Sequence, residues 1–312
     1  MKQLSITLII PVKNRFVDLK NCLISILNLN YVPSKIIIVD DGSSNKEFIK
    51  IKKLCISYFN IELISNKTTR GVSYCKNLAL KKVKTDFVWF VDSDTVIINK
   101  DCLKVAVNFL KKNPNSVIGG EIVMDKFNIK YIRETKLLPN KWSFFLHHRF
   151  PLKKDNKMIE TSMIPTSNFF TKKSVLNNVS FSNNIFTAED KLVCLLLKKK
   201  QIKFFILPSI SLIHKYSRSG RVNQNDLLAN HFNSHAFIYG AINKKSFGLD
   251  YILLSIISFP LYLISQFILY KKFYHTYDKK KISFKLLLNY VFNLNNIRML
   301  FLGKKYKNYY EL

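Results

Sequence analysis

Asp92 and Asp94 stand one residue apart at the end of the apolar run Phe87-Val88-Trp89-Phe90-Val91. Two carboxylates that close repel each other and lose hydration, so the pair calls for a cation or a proton. A hard divalent ion, Mg2+ or Mn2+, with phosphate oxygens completing its shell, meets that need. A solvated turn, or a cap for a helix starting near Asp101, would use the same residues without chemistry. Asp40-Asp41 and Glu189-Asp190 are two more close pairs, so six of the 20 acids lie in three clusters. In an acid-poor chain, three such clusters point to a polar, metal-bearing site. Each has a plainer alternative: Asp40 precedes Gly42 and suits a turn, and Glu189-Asp190 suits the first turn of a helix.

The elements that must position these acids follow from hydrophobic patterning. Short apolar runs at Leu4 to Val12, Lys35 to Val39, Ile61 to Ser65 and Phe87 to Val91 read as buried parallel strands. Helical periodicity separates them: from an Asn14 cap through Leu27, then Lys46 to Tyr58, Val72 to Lys82, and Asp101 to Lys111 after the fourth strand. Alternation of this kind makes βαβ units and a mostly parallel α/β sheet with flanking helices. Right-handed crossovers then bring the loops after strands one, two and four to one edge, where ligand crevices form. Val117 to Met124 reads as one further strand and Ile164 to Thr171 as another, with Asp125 to Glu160 inserted over the site edge. A short helix near Lys173 to Asn177 follows. The helix opened by Ala188-Glu189-Asp190 is expected to turn Leu192, Val193, Leu195 and Leu196 inward. Late strands at Phe204 to Leu207 and Ile210 to His214 precede a helical pattern from Gln224 to Asn243. The spacing of His231 and His235 is helical but has no acid partner, and His147-His148 has no interpretable spacing.

The 312 residues suffice for a sizeable core, and the organisation expected is a catalytic domain over 1–222 with a C-terminal helical region over 223–312. At 48% hydrophobic and 13% aromatic the chain is not a disordered one. Net charge is +30, from 50 basic and 20 acidic residues, which suits an anionic surface or phosphorylated substrates. Abundant Lys, Asn and Ile explain part of that charge without a partner. Five unpaired-looking cysteines fit reduced thiols, so the catalytic part is expected to face the cytoplasm. Tyr251 to Tyr270 is long enough to span a bilayer, yet Lys244-Lys245 precedes it and Lys271-Lys272 follows. Ten basic residues and two acids follow from Lys271 onward, so a single span would break the positive-inside tendency. A re-entrant hairpin bent at Pro260, or a helix lying in the interface, keeps both flanks on the cytoplasmic side of an inner membrane. Phe284 to Leu302, with Lys285, Arg298 and four asparagines, suits an interfacial helix.

The chain also resembles the family 2 glycosyltransferases, nucleotide-sugar enzymes of GT-A fold. The motifs come in order: Ile10-Pro11-Val12-Lys13-Asn14-Arg15, Ile37-Ile38-Val39-Asp40-Asp41-Gly42-Ser43, and Gly71-Val72-Ser73-Tyr74-Cys75-Lys76-Asn77. Phe90-Val91-Asp92-Ser93-Asp94, Asn168-Phe169-Phe170, Glu189-Asp190 and His214 follow, so the likeness covers about residues 4 to 218. The resemblance implies donor-binding positions at Pro11, Val12, Asn14, Asp40, Lys76 and Asp92, with Asp40 on the base and Asp92 near the ribose. Lys76 stands where such enzymes commonly carry Arg, a point charge in place of a bidentate fork. It implies metal ligands at Asp94 and His214, and a general base at Asp190. Lys215, Arg218 and Arg221 could hold the diphosphate or be solvated charge. Two departures stand out: Val179-Ser180-Phe181-Ser182-Asn183 replaces a glycine-rich phrase, and Ala188 stands where Gly is frequent.

The expected activity is inverting, metal-dependent transfer of a sugar from a nucleoside diphosphate to a hydroxyl of a glycan or lipid-linked acceptor, in bacterial surface polysaccharide assembly. One alternative replaces that acceptor with polyprenyl phosphate. A rival of another class is a non-catalytic protein that binds membrane or nucleic acid through its charge. The intact acid motifs favour the enzyme, with a membrane surface and no nucleic acid as partner.

Overall fold

Uninterrupted apolar runs become interior strands, because a strand covered on both faces has no side to offer water. A computed structural model describes residues 2–120, 122–124, 129–132, 150–151, 158–161, 163–185, 187–215, 217, 230, 233–234, 236–238, 241 and 294–305. The first half alternates β1 (Lys2–Val12), α1 (Phe16–Leu27), β2 (Tyr31–Asp40), α2 (Asn45–Ile56), β3 (Ile61–Ser65), α3 (Val72–Leu80) and β4 (Phe87–Val91). Then come β5 (Thr95–Ile97), α4 (Cys102–Lys112), β6 (Ser116–Gly119), β7 (Ile122–Met124), β8 (Ile129–Ile132), β9 (Phe150–Pro151), β10 (Ile159–Thr161) and β11 (Asn168–Lys172). A short 3-10 turn at Lys173–Leu176, α5 (Glu189–Lys199), β12 (Lys203–Ile206), a second 3-10 turn at Pro208–Ile210, β13 (Leu212–His214) and α6 (Leu294–Lys305) complete the described elements.

Eight strands form the main sheet in the order β10-β12-β6-β11-β4-β1-β2-β3. β1 pairs in parallel with both β2 and β4, and β2 with β3, whereas β11 runs antiparallel between β4 and β6. This is the mostly parallel sheet with flanking helices that the patterning requires. One face is covered by Leu19, Cys22 and Leu23 of α1, Ile51 and Cys55 of α2, and Leu103 and Leu110 of α4. The other is covered by Cys75 and Ala79 of α3 and Val193 and Leu197 of α5. All five residues of β4 are buried, so the strand that leads into Asp92 is held from both sides.

Several expectations are corrected. Val117 to Met124 is not one strand: β6 ends at Gly119 and β7 belongs to a second, five-stranded sheet of order β5-β13-β7-β8-β9. A Cβ on Gly120 would lie 2.0 Å from the Ile210 carbonyl oxygen, so the chain crosses between sheets where only glycine fits. Thr95–Ile97, not foreseen as a strand, pairs antiparallel with β13. Asn14 does not cap α1. It has φ 51° and accepts at Oδ1 from Ser44 N–H, and the cap position falls to Arg15. The first amide of the helix, Phe16 N–H, donates instead to Glu47 Oε2 at 3.0 Å. A carboxylate from the neighbouring helix thus does the capping, which local sequence cannot signal. In α5, Leu192 and Val193 are buried as expected, but Leu195 and Leu196 are only half-buried and Cys194 and Leu197 take the inward positions.

Asn230, Asn233, Ser234, Ala236 to Ile238 and Ala241 are helical, in keeping with the pattern from Gln224 to Asn243. A Cβ on Gly303 of α6 would sit 2.0 Å from the Phe237 carbonyl oxygen, so these two helical stretches cross at backbone contact. No helix among the described residues is long and apolar enough to cross a membrane. The segment 249–270, most of 125–160, His147, His148, His231 and His235 lie outside the described residues, as do Arg218 and Arg221.

Candidate active site

The loops after β1, β2 and β4 meet at one edge of the sheet and are laced together. Asp41 N–H donates to the Val12 carbonyl at 2.9 Å, and Asn14 N–H donates to Ser43 Oγ at 2.8 Å. Asp92-Ser93-Asp94 turns out of β4 with Thr95 N–H and Oγ1 both donating to the Asp92 carbonyl, at 3.2 and 2.8 Å. That turn aims the two carboxylates at β13, which delivers His214 because it pairs with β5 through His214 and Thr95.

His214 Nε2 lies 3.1 Å from Asp94 Oδ1 and 3.6 Å from Asp92 Oδ2. One ligand atom from each of the three side chains falls within 4.8 Å of the others. Asp94 is 1% exposed and Asp92 32%, so the group is deep on one side and open on the other. Two carboxylate oxygens and one imidazole nitrogen suit Mn2+ well, and Mg2+ less well, because Mg2+ prefers an all-oxygen shell. The residues fit a divalent ion, and the cluster is open to solvent on the side of Asp92. Burial works against the charge on Asp94. The His214 hydrogen bond and charge, Arg15 and the Ser217 amide outweigh it and hold the carboxyl well below the usual carboxylate range.

Arg15 is the residue the sequence reading passed over. Its Nη1 lies 3.4 Å from Asp94 Oδ2, and its Nη2 donates to the Ser217 carbonyl at 2.9 Å. Ser217 N–H in turn donates to Asp94 Oδ2 at 2.8 Å. Arg15 closes the Pro11-Val12-Lys13-Asn14-Arg15 motif, and that position was the available signal.

The other two acid pairs separate by role. Asp41 accepts from the amides of Arg70 and Gly71, at 2.8 and 2.9 Å, and from Asn66 Nδ2 at 3.0 Å. It is a structural brace for the turn before α3, not a charge awaiting a cation. Asp40 is 1% exposed; its Oδ2 accepts from Ser43 N–H at 3.2 Å, and its Oδ1 has no hydrogen-bond partner. A buried carboxylate oxygen left unpaired is costly, which suits a position that a ligand donor completes. Ser73 Oγ, in the first turn of α3, is likewise buried without a partner.

Glu189 does not stand as an uncompensated charge either. Its Oε1 accepts from Lys76 Nζ at 2.8 Å, and Thr166 Oγ1 also receives the ammonium. Lys76 is 1% exposed and lies 5.4 Å over the Phe181 ring. Desolvation pulls its pKa down, but Glu189 first, then Asp92 and Asp190, raise it above the ordinary lysine value. The lysine expected to touch the nucleotide is therefore committed to Glu189 in this structure. Asp190 is the next residue of α5 and is 8% exposed. The helix enters through Ala188 at φ 58°, a left-handed conformation that explains why glycine is the more comfortable residue there. Asn168 is a tie within the core: it accepts from Trp89 Nε1 at 3.0 Å and donates to the Ile210 carbonyl at 2.8 Å. Lys215 donates its amide to the Asp94 carbonyl at 2.9 Å.

The sequence profile described as Glycosyl transferase family 2 matches residues 7–180, more than half of the chain. The chain belongs to this family. An uncharacterized glycosyltransferase of Haemophilus influenzae is 32% identical over 108 residues, which is 35% of this chain and 43% of that protein. The minor teichoic acid biosynthesis protein GgaB of Bacillus subtilis is 26% identical over 198 residues, 62% of this chain and 21% of GgaB. In Escherichia coli, the UDP-Glc:alpha-D-GlcNAc-diphosphoundecaprenol beta-1,3-glucosyltransferase WfgD is 27% identical over 139 residues, 44% of this chain and 54% of WfgD. The chain thus spans between a fifth and about half of these relatives' lengths. Among solved structures, residues 1–349 of TarS from S. aureus in complex with UDP superpose with a TM-score of 0.54 at 17% identity, covering 98% of this chain and 90% of that one. The mannosyltransferase PcManGT from Pyrobaculum calidifontis, in complex with GDP-Man and Mn2+, gives 0.58 at 12% identity over 95% and 87%. The fold of this family 2 member is therefore GT-A.

Proposed function

We propose that the chain is an inverting glycosyltransferase that uses a nucleoside-diphosphate sugar and a divalent ion, Mn2+ in preference to Mg2+. The convergence of Asp92, Asp94 and His214 carries this reading. Asp94 and His214 hold the ion from the buried side, and Asp92 reaches it or the ribose from the open side. The ion, when bound, neutralises the leaving diphosphate. Asp40 accepts a hydrogen bond from the nucleotide base through its unpaired Oδ1, with the neighbouring backbone of Pro11, Val12 and Asn14 shaping that pocket. Asp190 takes the proton from the acceptor hydroxyl as its oxygen attacks the anomeric carbon in line and the bond to the diphosphate breaks. The 1–222 portion carries this chemistry, and 223–312 associates with the cytoplasmic face of a membrane.

WfgD is named for a lipid-diphosphate acceptor and GgaB for teichoic acid, which supports a hydroxyl on a lipid-linked surface glycan as acceptor here. A polyprenyl phosphate acceptor would need no general base, so Asp190→Asn separates the two: it abolishes transfer to a hydroxyl and spares transfer to a phosphate. The direct test is a thermal-shift panel of nucleotide sugars with and without Mn2+. One donor should stabilise the protein only with the ion, by about 2.7 kcal/mol at a hundredfold excess over Kd. Asp94→Asn should remove that ion dependence. Stabilisation by no donor, or an ion effect untouched in Asp94→Asn, would defeat the proposal.

A further inference from the structure

α1 and α2 lie side by side on one face of the main sheet. Phe16 N–H of α1 donates to Glu47 of α2, and Lys50 Nζ sits 5.7 Å over the Phe16 ring. Their inward faces supply core, through Leu19, Cys22, Leu23 and Ile26 on one and Ile51 and Cys55 on the other. Their outward faces are not the polar faces that a water-facing helix pair normally shows. On α1, Val17, Lys20 and Ile24 are exposed at positions i, i+3 and i+7. On α2, Ile49, Lys52, Lys53 and Ile56 repeat that pattern at i, i+3, i+4 and i+7. Phe59 follows on the turn beyond α2 and is 93% exposed, with Ile56 at 73% and Val17 at 67%.

No acid is exposed on either helix. Asp18 and Glu47 are both half-buried, and Glu47 is engaged by Phe16 N–H and Lys50. Lys20, Lys52 and Lys53 make no ion pair among the described residues. Isolated exposed hydrophobic side chains need no explanation. Four of them on two neighbouring helices and a fifth on the turn that follows, interleaved with unpaired lysines, do.

We propose that the α1–α2 face docks on an anionic lipid surface, with Val17, Ile24, Ile49, Ile56 and Phe59 entering the headgroup boundary while Lys20, Lys52 and Lys53 meet lipid phosphates. Aliphatic side chains with lysines among them match that boundary, because lysine stems lie along apolar surface while the ammonium reaches the headgroups. A second copy of the chain fits worse: a self-complementary contact would bring these lysines against each other within a chain of net charge +30. Nucleic acid also fits worse, since base stacking needs open aromatic platforms and Phe59 is the one exposed aromatic among the described residues of α1, α2 and the turn after it, Phe16, Phe48 and Tyr58 being half-buried. The proposal deepens the membrane-associated reading above. It rests on that reading for the partner and on the described helices for the surface.

The test uses the full chain with a polarity-sensitive dye on Ser57→Cys, which is exposed beside the stripe, and on Lys81→Cys, exposed at the end of α3 on the opposite face. The five native cysteines are buried, and burial pushes the thiols of Cys22, Cys55 and Cys102 up to about 12, so labelling is selective. With phosphatidylcholine vesicles containing phosphatidylglycerol, the dye at 57 should shift to the blue and the dye at 81 should not. Phosphatidylcholine alone should give neither. Lys52→Glu with Lys53→Glu should lower partitioning at least 25-fold, about fivefold for each lysine. Ile56→Ser with Phe59→Ser should lower it too, with Mn2+-dependent nucleotide stabilisation unchanged in both. A dye at 57 that stays in water while the protein sediments with vesicles would overturn the proposal. So would a shift produced by self-association or by RNA without vesicles. The nucleotide panel reads the catalytic proposal separately, so either can fail alone.

Discussion

At the scale of single residues, the site is a set of carboxylates whose partners decide their roles. Asp41 is held by three N–H donors, Glu189 is paired with a buried lysine, and Asp94 is held by His214 and Arg15. Asp40 alone keeps an oxygen without a partner among these. The Lys76–Glu189 pair makes the sharpest prediction. Lys76→Met leaves the Glu189 carboxylate buried without its cation, which costs about 3–5 kcal/mol. The melting temperature should fall on the order of 10 °C. Lys76→Met with Glu189→Gln should recover most of the loss, and an equally unstable double variant would place the cost elsewhere. The folded pKa of Lys76 lies above its ordinary 10.5, so its contribution is fully present below that value and is lost only at still higher pH. The fall on Lys76→Met should therefore be the same at neutral and mildly alkaline pH.

At the scale of elements, the passage from β6 to β7 is the crossing on which the candidate metal cluster depends. β6 lies in the main sheet, whereas β7 pairs with β13, the strand that brings His214 to Asp94. The passage is narrow because Gly120 packs against the Ile210 carbonyl. Gly120→Ala must push that backbone away, and it is expected both to lower thermal stability and to abolish Mn2+-dependent nucleotide stabilisation. A Gly120→Ala protein that keeps both would show that β13 is positioned by other contacts. The capping of α1 by Glu47 works at the same scale, tying two helices that the chain separates by β2.

At the scale of the molecule, a net charge of +30 is a standing self-repulsion that salt relieves. Raising ionic strength from about 0.01 M to about 0.15 M shortens the Debye length from ~30 Å to ~8 Å. Thermal stability should rise over that range, and vesicle binding through the α1–α2 face should weaken over the same range. A melting temperature that falls with salt would mean that native ion pairs outweigh the repulsion.

Much of this protein was legible one segment at a time. β3 and β4 fall where their apolar runs place them, and the order of acid motifs matched the family, because hydrophobic period and motif order are local properties of a chain. The sequence alone determined the parallel βαβ half, the edge on which the site lies and the identity of Asp92, Asp94 and His214 as its candidates. Tertiary structure decided which acids need a partner from outside. Glu47, Arg15 and Lys76 lie 31, 79 and 113 residues along the chain from Phe16, Asp94 and Glu189, and no spacing rule reaches that far. It also divided Val117 to Met124 between two sheets, because a close approach between Gly120 and Ile210 exists only after both strands are in place. Asp92-Ser93-Asp94 could have been a solvated turn on its residues alone, and it became part of a three-residue cluster that could hold a metal ion when β13 brought an imidazole to within 3.1 Å of Asp94.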